Sequence, residues 1–159
     1  MKEEMNMAFV GSNTSDAMAG KNVLLYIATD GTEQSPTWTL IGGQRSGDLN
    51  QEGDEIDASH KTSGGWKVTL QGLKSWSIDL ESVYIMSDTG VEALQAAFRN
   101  GTKCFFKYEY AGGKYQTGYG TVTNFSVSAP HDDVVTVSGT ISGCGPISEI
   151  TTPSTSGGN

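Results

Sequence analysis

Apolar and polar residues alternate along much of this chain with a period of two, the spacing that turns every second side chain of a β-strand to one face. Trp66, Val68 and Leu70 are separated by Lys67 and Thr69, and Trp76, Ile78 and Leu80 repeat the pattern ten residues later. Further strands are expected at 38–41, at 103–110 before a Gly-rich turn at 111–114, at 115–128 with a bulge near Gly120, and at 134–142. The run 23–28 is apolar at every position, which predicts a strand covered on both faces. One segment departs from this rhythm. Val91, Leu94 and Phe98 fall on one helical stripe, Thr89 and Glu92 have the spacing of a capping box, Arg99 suits a last turn, and Gly101 can supply a left-handed stop. The expected fold is mainly β: an antiparallel sandwich or barrel of seven or eight strands, with one flanking α-helix over about 90–100.

Two kinds of segment lack this patterning. Residues 42–65, GGQRSGDLNQEGDEIDASHKTSGG, hold only Leu49 and Ile56 as aliphatic side chains and read as a long loop. A compact domain seldom keeps such a loop unless it binds something. The ends, 1–18 and 151–159, are polar and aperiodic, so flexible arms are expected around a β domain at 19–150, and Met7 offers a second start.

Composition narrows the function classes. The 159 residues suit one domain, and 21 glycines with 34 serines and threonines outnumber the 28 charged residues, unlike a coiled coil. The longest apolar run is six residues, against the roughly 18 of a membrane helix, and no membrane binding is expected. The N-terminus has no apolar core of a secretory signal, so synthesis in the cytosol is expected. A net charge of −8 and a pI near 4.6 argue against a protein that grips nucleic acid, which needs clustered Lys and Arg. Cys104 and Cys144 are expected to be buried free thiols.

No catalytic, cofactor or metal site emerges. The two histidines, His60 and His131, have no nucleophile motif to serve, and phosphate-cradling glycine loops are missing. Asp48, Asn50, Glu52 and Gly53 imitate the opening of a calcium loop, but Ser59 stands where its bidentate Glu is required. Trp38, Trp66 and Trp76 suggest a carbohydrate-binding sandwich as one alternative, although strand-like settings favour core packing for all three.

Six strings, in order, carry a resemblance: AGKNVLLYI (19–27), WTLIGGQRSGDL (38–49), HKTSGGWK (60–67), LKSWSIDLESVYIMSD (73–88), SVSAPHDD (126–133) and SGTISGCGPISEI (138–150). Together they resemble the phage major tail protein, or tail tube protein, family of long-tailed non-contractile bacteriophages, and in particular its lactococcal-phage-type subfamily. The resemblance implies a structural virion protein with a tail-tube fold, assembled in the host cytoplasm. Its homohexameric rings would stack into the conduit for genome ejection. The implied partners are further copies of itself, the tail tip or baseplate, the tape measure and tail terminator proteins, and DNA in non-sticky transit. A phage-derived injection or secretion tube, type VI-like or tailocin-like, is the alternative. Contacts between rings or subunits are then expected from Asp48, Leu49, Asn50, Glu52, Asp54, Ile56, Asp57 and His60, with Leu49 and Ile56 docking on the adjacent ring. Asp79 and Glu81 are the acidic candidates for the channel wall.

Overall fold

A computed structural model describes residues 17–153. After a 3-10 turn at Gly20–Asn22 come β1 (Leu24–Gly31), β2 (Pro36–Leu40), β3 (Gln44–Asp57), β4 (Thr69–Val83), α1 (Thr89–Asn100), β5 (Lys103–Glu109), a second 3-10 turn at Ala111–Gly113, β6 (Tyr115–Ser128) and β7 (Thr136–Ile147). The seven strands form one antiparallel sheet in the order β2-β1-β5-β6-β7-β4-β3. The proposed bulge near Gly120 is present as a register shift between Gly118 and Gly120.

The sheet folds over on itself because its inward faces carry the apolar residues. Leu25 and Ile27 of β1, Ile78 and Leu80 of β4, Phe106 of β5, Val122 of β6 and Val137 and Ile141 of β7 meet in one core. Gln44 ties the two ends of the sheet together. Its Oε1 accepts from the Leu25 amide at 3.0 Å, while its Nε2 donates to the carbonyls of Leu25 at 2.8 Å and Ile41 at 2.7 Å. The Tyr108 hydroxyl adds a bond to the Gly47 carbonyl, joining β5 to β3.

Helix α1 closes part of the core with Val91, Leu94 and Ala97. Gly90 lets it approach: a methyl group there would sit 2.7 Å from the Ile41 Cα. Gly101 takes the expected left-handed conformation at the end of the helix. The cap at its start differs from expectation. Asp88, not Thr89, holds that position, and its Oδ2 accepts from the amides of Val91 and Gly42, each at 3.0 Å. One carboxylate thus starts the helix and pins the β2–β3 connection. Phe98, expected on the buried stripe, is partly exposed.

The largest correction concerns the presumed loop 42–65. Its residues 44–57 are β3, paired with β4 from Gln44↔Ser82 to Asp57↔Thr69. Strand propensity mostly measures fit to a pleated, half-buried surface, and β3 is an edge strand with water on one face. Its partner supplies the ladder, and Leu49 alone has to pack inward. The dense Asp, Glu and Asn that disguise it as a loop lie on a strand whose outer edge has no partner in the sheet. Conversely, residues 66–68 are not strand, and β7 begins two residues later than expected and continues to Ile147. The run 23–28 is buried on one face only, through Leu25 and Ile27. Of the proposed arms, 1–16 and 154–159 lie outside the described residues, while Thr151 pairs with Tyr115 through two backbone bonds.

Candidate assembly and channel surfaces

Pairing partners share a face in an antiparallel sheet, so register alone assembles the outward surface of β3, β4, β7 and β6. One row runs Asn50, Ser77, Ser142, Thr121; the next runs Asp48, Asp79, Thr140, Asn124; the third runs Ser46, Glu81, Ser138, Ser126. Glu52 opposite Ser75 extends the surface. These paired positions hold hydroxyls, amides and carboxylates, with no Lys, Arg or aromatic residue among them. Asp48 and Asp79 stand directly opposite each other, an arrangement that like charges disfavour. Asp79 is steadied by donors on either side: Asn50 Nδ2 reaches Oδ2 at 3.2 Å and Thr140 Oγ1 reaches Oδ1 at 3.1 Å.

The structure therefore sorts the eight expected contact residues into three groups. Asp48, Asn50 and Glu52 lie on the polar face with Asp79 and Glu81. Their side-by-side spacing along an extended strand also removes the likeness to a calcium loop. Leu49 is partly buried and packs against the core. The remaining four belong to the far end of the β3–β4 hairpin. Asp54 lies in a bulge and Ile56 opposes Leu70. The Asp57 carboxyl accepts from the Ser59 amide at 2.9 Å, and hydrogen bonds from Ser59 hold its pKa below the ordinary value. The His60 Nδ1 lies 2.8 Å from Thr62 Oγ1 within the connecting loop.

Ile56 was named from the sequence as a docking residue, but the apolar side chains that accompany it at that hairpin end were missed. Ile56 is 51% exposed, Leu70 58%, Trp66 81% and Leu73 82%. The alternation Trp66, Val68, Leu70 does not mark a covered face: 66–68 precede the strand, and 66–70 are exposed at every position, on a hairpin end that projects past the core. Trp76 alone of the three tryptophans is fully inside, at 5% exposure.

Two backbone edges flank the polar surface. β3 ends the sheet, and β6 loses its β5 partner after Thr121, leaving 122–128 paired on the β7 side only. Beyond that point the outward surface changes character. Trp38, Phe105 and Tyr119 form a band across β2, β5 and β6, with ring centroids 5.2 and 4.7 Å apart. Lys107 lies over Tyr26 at 4.4 Å and Lys103 over Tyr119 at 4.9 Å, within cation–π reach. Burial, and then Glu109, raises the Tyr26 pKa above its ordinary value. Cys104 is half-buried, with its thiol pushed up by burial, whereas Cys144 is exposed against expectation.

A family model for the phage tail tube protein matches residues 17–149, nearly the whole described chain. The chain belongs to the phage tail tube protein family. It is a structural, tube-forming protein of the virion tail. Its fold is similar to that of the tail of an empty gene transfer agent particle refined with C6 symmetry, with a TM-score of 0.73 and 23% identity over 86% of this chain and 100% of that one. It is also similar to the SPP1 tail tube, with a TM-score of 0.68 and 14% identity over 86% and 81%. The baseplate of the anti-feeding prophage matches at 0.58 with 8% identity over 87% and 95%. No curated protein matches the chain.

Proposed function

We propose that this tail tube protein forms homohexameric rings whose polar faces line a channel for DNA, and that the rings stack through the apolar hairpin end. The observation that carries this reading is the pairing register itself. It gathers Asp48, Glu52, Asp79 and Glu81 on one Ser/Thr-rich surface without a basic residue, between two strand edges free to pair. Joining the β3 edge of one copy to the 122–128 edge of the next is a head-to-tail contact that closes by rotation. The C6 tail of the similar gene transfer agent particle supports six copies. Six copies giving four strands each make a 24-stranded barrel. With about 4.8 Å between strands and a tilt of about 40°, it is about 50 Å across.

An acidic wall suits passage of a polymer that carries one negative charge per roughly 1.7 Å, because a basic wall would bind the phosphates and hold them. The hairpin end serves the other direction. Ile56, Leu70 and Trp66 dock on the adjacent ring, with Asp54, Asp57 and His60 around them fixing orientation. The tail tip, tape measure and terminator proteins are the further partners, and the protein acts without catalysis. The six strings assign it to the lactococcal-phage-type subfamily. A phage-derived injection tube is the second reading, and the likeness to the anti-feeding prophage baseplate is compatible with it; the acidic face favours DNA as cargo.

The test is an Ile56→Glu/Leu70→Glu double variant, whose changes are on the surface and spare the core. Folded subunits that give no tubes by negative-stain microscopy are expected. Tubes of normal length would overturn the hairpin's role.

A further inference from the structure

Where β4 parts from β7, two facing strand edges stand unpaired. The ladder between them ends at Ser77↔Ser142, although β4 starts at Thr69 and β7 runs on to Ile147. Trp76 sets the split. Its ring fills the space left by the missing side chains of Gly118, Gly120 and Gly143, and its Nε1 donates to the Gly145 carbonyl at 3.0 Å. The gap is a cleft of about 660 Å³, with Trp76 and Ile147 as apolar lining and Gln51, Glu52, Gln71 and Lys74 around them.

We infer that this cleft receives the N-terminal segment of a neighbouring copy, residues 5–11, as an added strand along the free edge of β4. The inference rests on the tube reading above and names a joint within it. Residues 70–76 alternately point backbone groups away from β3 with no strand to meet them, and strand addition satisfies such groups. The segment MNMAFVG supplies the apolar side chains that Trp76 and Ile147 can contact. Glu3 and Glu4, just before it, suit Lys74, which has no ion pair among the described residues. The C-terminal alternative is poor, because 154–159, STSGGN, has no apolar side chain.

The point of departure selects a neighbour's cleft. Gly20 and Lys21 lie beside Gln44, Arg45 and Asp48, so the chain leaves the body at the β3 edge, the seam with the next copy in the proposed ring. The chain from Gly11 to Ala17 spans up to about 20 Å when extended, about four strand spacings of ~4.8 Å, enough to cross that seam and the neighbour's β6 and β7. Strand donation at this position would make each joint depend on the copy already in place.

The experiment places the photo-crosslinking residue benzoylphenylalanine at position 10 of the full chain and irradiates assembled tubes. Dimer-mass adducts mapping to 69–76 or 143–147 are expected, with a loss of at least tenfold in the Phe9→Asp variant. Unchanged circular dichroism of that variant will show that folding is intact. Adducts within one chain, or on other surfaces of a neighbour, would overturn the inference while leaving the tube reading in place. Failure of the unmodified chain to form rings would overturn the tube reading and this joint with it.

Discussion

One side of a single sheet carries two unlike surfaces. Across β3, β4, β7 and the second half of β6 it presents Asp48, Asp79, Glu81 and a field of Ser and Thr. Across β2, β1, β5 and the first half of β6 it presents Tyr26, Trp38, Phe105 and Tyr119 interleaved with Lys103 and Lys107. Both are outward faces on the same backbone, so water exposure alone does not explain the contrast. The aromatic–lysine surface satisfies itself through ring contacts and cation–π pairs. The acidic surface keeps a repelling pair, Asp48 opposite Asp79, that a neutral residue would relieve. A surface whose paired positions carry carboxylates and hydroxyls and no cation is suited to leaving a polyanion alone.

The sharpest way to break the contrast is to remove what both surfaces stand on. Trp76→Ala empties the space beneath β6 and β7 and should cost about 3–5 kcal/mol, read as a shift in the denaturation midpoint. Gly90→Ala should cost about 1–3 kcal/mol, because its methyl group would meet the backbone at Leu40 and Ile41. Asp88→Ala removes the helix cap and the Gly42 contact, a loss of about 1 kcal/mol or somewhat more by chemical denaturation. Asp79→Lys tests the acidic surface itself. It should change stability by less than about 1 kcal/mol, through relief of the Asp48 repulsion, yet slow DNA ejection from particles built with it. The same change on the aromatic side, Thr117→Lys, should leave ejection unaffected. The smallest effect is alkaline. Burial raises the Tyr108 pKa in the folded state, so its contribution is intact below the unfolded value near 10 and fades as pH rises from there through the folded value. Thermal melts across that range should show the decline, and Tyr108→Phe should flatten it.

What could be read in the sequence depended on whether a residue's neighbours were local. Strands β5 and β6, the helix span and the Gly101 stop were legible because period and caps are written within a few positions. β3 was not, because its strand character comes from β4, up to 38 residues away in the register Gln44↔Ser82. The same blindness hid the setting of Asp48, Asn50 and Glu52, which look like part of a loop until the ladder sets them beside Asp79 and Glu81. Leu49 and Ile56 look equivalent in sequence, but one lies over the body and packs inward, while the other lies past the end of the core. Trp66 and Trp76 divide in the same way.

Electron microscopy of tubes grown from the purified protein, at a resolution that separates strands, tests the central claim most directly. The account predicts six copies per ring, β3 of one copy beside 122–128 of the next, and Asp48, Asp79 and Glu81 turned to the channel. Tubes with the Trp38–Phe105–Tyr119 band facing the channel, or protein that stays as single subunits at high concentration, would contradict it.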